Sequence, residues 1–167
     1  MQARAQSANS TIVLDSFLTG VINCAFSKDF TRLRHSAIDR FKNEYGATRP
    51  KINASASLIV PAVFAHSIHT EQARSEIGNQ GAWTTVKIPV SGTFYGLAVR
   101  QLEFVLGNEN GYNAVSLVFD ETRQKLASRL GLLVKKNRAA LKRNAADGPS
   151  NVGFVTNRAE IFCDRST

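Results

Sequence analysis

The sequence predicts an α+β domain in which two N-terminal helices are followed by an antiparallel sheet with one packed helix. Three observations support this prediction. Apolar residues recur at helical spacing before residue 46, alternate with polar residues from residue 84 to residue 119, and return to helical spacing after residue 121. The chain has 167 residues, which suits one domain with its own core. We therefore expect residues 11–167 to form a single α+β domain.

The two predicted helices lie between residues 15 and 45. Asp15 is the expected N-cap of the first helix, and an apolar stripe follows over residues 17–25. The second helix is expected to begin at Ser27 or Asp29 and to continue until Gly46 supplies a stop. Its charged residues fall largely off the apolar stripe and form a solvated face.

The clearest strands flank a glycine-bounded turn at residues 107–111, where the Asn-Gly pair is a strong hairpin signal. Residues 84–90 begin the sheet, and Pro89 indicates an edge position or a strand end. Gly96 is expected to be a bulge. Alternation around the turn predicts one buried face made of Leu102, Phe104, Leu106, Val115, Leu117 and Phe119.

A helix is predicted to follow Asp120, its expected cap, and Gly131 allows two interpretations. A left-handed Gly131 would end the helix at Leu130 and leave a short strand at 132–134. Otherwise one amphipathic helix continues to about residue 144. We favour the stop, because glycine frequently follows the last turn of a helix. The longer helix would have a stripe of Leu126, Leu130, Leu133 and Leu141.

Residues 47–83 are predicted to be an irregular insertion. This stretch is rich in Ala, Ser, Asn and Gln, and Pro61 interrupts its one apolar run at 57–64. Residues 70–77 could form one or two helical turns. Loops of this length inside a compact domain tend to be functional or mobile, so the insertion is a candidate contact region.

The chain has two cysteines, Cys24 and Cys163, near opposite ends. They are either two buried thiols or one disulfide. We favour the disulfide, because a pair of cysteines near opposite ends is more typical of a structural cross-link than of catalysis or metal binding. Residues 1–10 lack an apolar run, yet residues 3–5 (Ala-Arg-Ala) have the form of a signal-peptidase site. We expect residues 1–10 to be a disordered remnant of an export signal. The alternative is a cytosolic N-terminus that contains this tripeptide by chance.

The chain contains no strong catalytic or cofactor motif. His66 and His69, with Glu71 nearby, could place two imidazoles on one helical face, but no third ligand is visible. Ser91 lacks the G-x-S-x-G pattern of a nucleophile elbow. We therefore predict no metal, no cofactor and no catalytic residues. A hydrolase that uses the histidine region remains a third functional class.

Residues 121–143 carry the main charge signal. The chain has a formal net charge of +8, and this segment holds eight basic residues against one acid, Glu121. A solvated face would explain such charge, and a partner-binding face is the sharper interpretation. Nucleic acid is the second partner class, although no aromatic residue lies between Glu121 and Phe154 to stack on bases. The candidate partner-binding residues are Arg123, Lys125, Arg129, Lys135, Lys136, Arg138, Lys142 and Arg143.

Several short motifs resemble those of small exported proteins of proteobacteria: a helix with Cys24, then FYGLAV, SLVFDE and a closing FCDRS. Some proteins of this kind are periplasmic immunity proteins that neutralise a toxin by direct contact. The resemblance covers residues 15–45 and 92–165. It implies a periplasmic or secreted immunity-type inhibitor. The basic segment predicts an acidic protein as its partner, and a homodimer is a further predicted partner. The alternative is a basic nucleic-acid-binding or phage-encoded inhibitory protein. No stretch approaches the roughly 20 apolar residues of a membrane span.

Overall fold

Four α-helical segments and six strands make up the fold in the computed structural model, which describes residues 11–109, 111–144 and 150–166. The predicted α+β class is confirmed. The helices are α1 (Asp15–Leu18), α2 (Gly20–Asn23), α3 (Lys28–Phe41) and α4 (Arg123–Arg143). The strands are β1 (Arg74–Gly78), β2 (Trp83–Phe94), β3 (Leu97–Gly107), β4 (Asn113–Phe119), β5 (Asn151–Phe154) and β6 (Glu160–Asp164).

The six strands form one antiparallel sheet in the order β1-β2-β3-β4-β6-β5. The first four strands follow one another as neighbours, so short hairpin connections suffice. The chain then leaves the sheet through α4 and returns at the edge strand β5. This path places α4 against β5 and α2.

The core lies between the sheet and the helices. The predicted buried face of β3 and β4 is confirmed, since all six of its apolar residues are 0–3% exposed. Helix α3 packs against β2 and β3, and α2 contacts β4, β5 and β6. The same core receives three side chains from α4: Leu126, Leu130 and Val134.

Helix α4 does not stop at Gly131, so the predicted stop and the strand at 132–134 are wrong. Leu130, before the glycine, and Val134, after it, are both buried. Their burial outweighs the roughly 1 kcal/mol by which glycine weakens a helix interior. The cap prediction also changes: the hydroxyl of Thr122, not Asp120, accepts a hydrogen bond from the backbone N–H of Lys125 at 3.2 Å.

The first predicted helix is broken into α1 and α2, and α2 ends at Cys24 in a left-handed conformation. Asp15 is not a cap. Its Oδ1 accepts a hydrogen bond from the backbone N–H of Tyr95 at 2.8 Å and so holds the turn between β2 and β3. Helix α3 begins after Ser27, one of the two predicted caps, and ends at Phe41, before the predicted stop at Gly46.

The 47–83 stretch, predicted to be irregular, contains the edge strand β1. Strand β1 pairs with β2 from Arg74 opposite Lys87 to Gly78 opposite Trp83. The helical turns expected over 70–77 reduce to one 3₁₀ turn at Thr70–Gln72. Earlier in the stretch, the backbone runs along α3, where the Ser36 hydroxyl accepts from the N–H of Ile59 at 2.9 Å. The prediction missed β1 because its exposed, largely polar residues show little hydrophobic alternation.

Gly96 belongs to a hairpin turn rather than a bulge. Tyr95 and Gly96 both have positive φ, 50° and 75°, and Phe94 pairs with Leu97 on either side of them. This combination is typical of the tight turns that join antiparallel strands. Pro89 lies within β2 rather than at a strand end, but β1 has ended by that point, so the predicted edge position applies locally. The carbonyl of Pro89 accepts a hydrogen bond from the N–H of His69.

Cys24 and Cys163 form the predicted disulfide, with their Cα atoms 5.5 Å apart. The bridge joins the end of α2 to β6 across 139 residues of chain. Residues 1–10, predicted to be a remnant of an export signal, lie outside the described residues. Among the helices of the described residues, none has the length and apolar character needed to cross a membrane.

Candidate partner-binding face of helix α4

The long helix α4 presents one side to the core and the opposite side to solvent. Its inner side is set by Leu126, Leu130 and Val134, which are 0–2% exposed. With 3.6 residues per turn, the outward side is centred on Leu132. We call this outward side the basic face and define it as Lys125, Leu132, Lys135, Lys136, Lys142 and Arg143, all of which are exposed.

Leu132 is 87% exposed, the highest value among the exposed large apolar side chains of the described residues. Residues three and four positions away on a helix are neighbours on its surface, which places Lys135 and Lys136 beside Leu132. A single exposed leucine needs no explanation by itself. Leu132 is notable here because its exposed apolar side chain is surrounded by cations. Protein interfaces commonly have such an apolar centre inside a polar or charged rim.

The basic face has little internal neutralisation. Helix α4 contains no acidic residue, and the acid that precedes it, Glu121, contacts Lys125 at 2.8 Å. Within the described ranges, Lys135, Lys136, Lys142 and Arg143 have no ion-pair partner. Cations in the last turn also interact favourably with the helix dipole, which explains part of the charge at Lys142 and Arg143. The remaining lysines have no such structural role.

Three of the eight predicted partner-binding residues hold α4 to the sheet. The Nε of Arg123 donates to the carbonyl of Val155 at 3.2 Å, and that of Arg138 donates to the carbonyl of Val152 at 2.6 Å. The Nε of Arg129 donates to the carbonyl of Tyr95 at 3.3 Å, in the β2–β3 turn. Val152 and Val155 lie on or just after the edge strand β5, and Tyr95 lies in a turn, so the strand ladder leaves these carbonyls free. The predicted set therefore divides into five residues of the basic face and three scaffold arginines.

The histidine region does not form the helical pair that the spacing allows. Residues 66–69 form a turn that ends in a bridge between Ile68 and Val90. The Nε2 of His69 lies 2.7 Å from the Oγ of Ser91, and its Nδ1 lies 3.8 Å from Glu71 Oε1. Over the ranges that the structure describes, no group of three or more His, Cys, Asp or Glu residues could hold a metal ion.

An ionic cluster on the outer face of the sheet was not predicted. Arg158 contacts Glu103 at 3.1 Å and Glu160 at 3.0 Å, and both glutamates are about 5% exposed. Burial raises the pKa of Glu160, and Glu103 adds to this, while Ser116 and Arg158 oppose it. Glu160 Oε2 is buried without a well-aligned hydrogen bond, which agrees with the raised pKa. Alternation in β3 predicts that Glu103 faces outward, but it does not reveal its burial.

Comparison with known proteins returned no match to a family model, to a curated protein or to a solved structure. The basic face of α4 combines charge, exposure and a rigid support.

Proposed function

We propose that the protein is an exported, immunity-type inhibitor that binds an acidic protein partner through the basic face of α4. The observation that carries this proposal is the outward side of a 21-residue helix with exposed cations around Leu132. Clusters of one sign on a rigid element accelerate association with a partner of opposite charge and favour it over wrong partners.

The support beneath the basic face suits a binding surface. Helix α4 is fixed by three buried apolar residues and by the arginine contacts to β5 and the β2–β3 turn. A surface fixed before binding loses less conformational entropy on association. Leu132 would supply the desolvated centre, and the surrounding lysines would form the polar rim.

Export is the second part of the proposal. The Cys24–Cys163 disulfide is compatible with an oxidising compartment, because stable disulfides are rare where thiols are kept reduced. The periplasm is therefore the proposed location, and a secreted toxin or enzyme is the proposed class of partner. A symmetric homodimer through two α4 helices is disfavoured, since their like charges would repel.

Nucleic acid is the second candidate partner, because the same cations could contact phosphates. The described structure offers no aromatic side chain on the basic face for stacking on single-stranded bases. A double-stranded probe would then be bound weakly and without sequence preference. We therefore propose a protein partner and treat nucleic acid as an outcome of the test.

The test begins with a tagged form of the full chain that is directed to the periplasm by an added export signal and purified from that compartment. Proteins that copurify are identified, made separately and mixed with the purified protein. We expect one acidic protein to reconstitute a complex, and we expect coexpression to suppress the activity of that protein. Fluorescence anisotropy with a labelled DNA duplex runs in parallel over a range of salt concentrations.

Two outcomes would contradict the proposal. One is a DNA affinity that exceeds that of every reconstituted protein complex at physiological salt. The other is a result from hydrogen exchange on the reconstituted complex. Binding would protect backbone amides of the partner but none in α4. Recovery of the purified protein with two free thiols would contradict the export part alone.

A further inference from the structure

The geometry points to a second function: Ser91 and His69 form a nucleophile–base pair that hydrolyses carboxylic esters. The Oγ of Ser91 lies 2.7 Å from Nε2 of His69, within the range at which a base activates a hydroxyl nucleophile. This pair is remote from the basic face in sequence and does not depend on the proposed partner. It also contrasts with the sequence-based expectation of a protein without catalytic residues.

Backbone pairing brings the two residues together. The N–H of His69 donates to the carbonyl of Pro89 at 3.0 Å, and the N–H of Ser91 donates to the carbonyl of Ser67 at 2.8 Å. The residues between them, Ile68 and Val90, pair with each other and are 1% and 6% exposed. Alternation in β2 turns Ser91 away from the buried side of Val90, and the 2.7 Å contact places the His69 ring beside Ser91 on that outward side.

A β-bulge lies at Ser91, and the sequence pattern of a nucleophile elbow is absent from the chain. Strand register runs from Pro89 opposite Gln101 to Gly92 opposite Val99, so Val90 and Ser91 together face Arg100. Bulges are common beside active sites. Burial alternates without a break from Thr84 to Phe94, so Ser91 lies on the outward side of β2 and is exposed.

The groups around the pair supply the other parts of the site. Glu71 Oε1 lies 3.8 Å from Nδ1 of His69, where a modest movement would let the carboxylate orient the ring. Ser91 also lines an open cleft of about 620 Å³ with His66, Gly92 and Asp120. Arg100 lies 3.8 Å from Asp120, one of the residues that line this cleft.

The reaction proceeds in two balanced steps. Ser91 Oγ forms a bond to the carbonyl carbon of the ester while its proton passes to Nε2 of His69. The bond from that carbon to the alcohol oxygen then breaks, and the alcohol leaves with this proton. Water next attacks the acyl–Ser91 ester, gives its proton to His69, and releases the acid as Ser91 regains the proton.

Arg100 is the group that would stabilise the negative charge developing on the carbonyl oxygen. The backbone N–H of Ser91 is not free to do so, since it donates to Ser67. One mobile cation is a weaker device than a pair of fixed backbone donors. The activity is therefore expected to be slow and confined to small esters with good leaving groups.

The experiment measures hydrolysis of p-nitrophenyl acetate by the purified full chain. We expect Ser91→Ala and His69→Gln each to lower kcat/KM by at least about 10²-fold, the usual contribution of a base. Glu71→Gln is expected to lower kcat more than it raises KM, since Glu71 would position the ring without touching substrate. Ser128→Ala and His35→Gln are matched controls at exposed sites and should keep the wild-type rate.

A second measurement does not depend on turnover. A fluorophosphonate should lose fluoride and attach phosphorus to Ser91, whose proton passes to His69. Trypsin would release residues 88–100, in which Ser91 is the only serine, so mass spectrometry can locate the label. Label on Ser91 that disappears in His69→Gln supports the inference. Equal ester hydrolysis by wild type and Ser91→Ala, or a wild-type protein that takes up no label at Ser91, would overturn it.

Discussion

At the scale of single residues, Glu160 shows how burial and charge oppose each other in this fold. Its side chain is 5% exposed, yet Arg158 lies 3.0 Å away and remains half-exposed itself. The raised pKa of Glu160 shows that the loss of hydration outweighs the attraction of Arg158. The folded protein therefore holds a proton on this carboxyl at a pH where the unfolded chain has lost it.

The difference between the folded and unfolded pKa of Glu160 determines whether the free energy of unfolding rises or falls with pH. Because the folded pKa exceeds the ordinary value of 4.5, the free energy of unfolding should fall as pH rises from about 4.5 through the folded value. Glu160→Gln removes this contribution, so urea unfolding of the variant should show a smaller loss of stability across that window. Trp83 fluorescence can report the transition.

Glu76→Gln is the matched control, since Glu76 is 54% exposed and pairs with Lys87. It should keep the wild-type pH dependence. If Glu160→Gln loses as much stability as the wild type when pH is raised through the window, the assignment to Glu160 is wrong.

The pairing of His69 with Ser91 marks the limit of sequence reasoning at this scale. The two residues are 22 positions apart, and they meet because the Ile68–Val90 bridge aligns the two segments. Such a bridge has no reliable local signal. By contrast, the disulfide could be predicted, because Cys24 and Cys163 are the only two cysteines.

At the scale of elements, predictions succeeded where the local signal and the tertiary contacts agree. The β3–β4 hairpin has both a glycine-bounded turn and strict alternation, and its buried face is as predicted. Gly131 shows the opposite case. Its local signal indicates a helix end, but the apolar residues on either side must reach the same core, and helix α4 continues.

Gly131→Ala tests whether this glycine is fully helical. A Cβ at Gly131 would meet no atom within 4 Å, so alanine should raise the free energy of unfolding by about 0.5–1 kcal/mol through its higher helix propensity. Urea unfolding followed by circular dichroism gives the value. The contrasting control is Gly20→Ala in α2, where a Cβ would lie 2.5 Å from the Phe26 ring and should destabilise.

A Gly131→Ala variant less stable than wild type would contradict a continuous α4. That result would mean that Gly131 adopts a conformation which alanine tolerates poorly. The basic face would then lose its definition, since Leu132, Lys135 and Lys136 would no longer share one helix side with Lys125.

At the scale of the whole molecule, the disulfide links the helical layer to the sheet. The bridge closes 139 residues of chain, and the chain-entropy model assigns to such a loop a stabilisation of about 5 kcal/mol. Reduction should therefore lower the midpoint of urea unfolding. The double variant Cys24→Ala/Cys163→Ala should match the reduced protein and should not respond to a reductant.

If a reductant left the unfolding midpoint of the wild type unchanged, while thiol titration showed the bridge to be broken, the stabilising role would be wrong. The pair would then have another purpose, such as redox sensing. The compartment argument depends on the bridge itself and is tested separately by the thiol count of the purified protein.

The whole-molecule architecture also explains which part of the function could be predicted. The number and sign of the charges in residues 121–143 were visible in the sequence, and they indicate an acidic partner. The division into scaffold arginines and a basic face was not visible, because it depends on where α4 lies against β5 and the β2–β3 turn. The alternative prediction of one long helix through Gly131 does place Leu132 outside the apolar stripe.

The affinity of the reconstituted complex tests the basic face most directly. Lys135→Glu/Lys136→Glu and the control Lys28→Glu/Lys51→Glu change the net charge equally, and all four lysines are exposed. Titration calorimetry at low and at physiological salt should show the α4 variant at least about tenfold weaker, with a flatter salt dependence, while the control stays near wild type. Equal affinities for both variants at both salt concentrations would contradict the claim that α4 binds the partner.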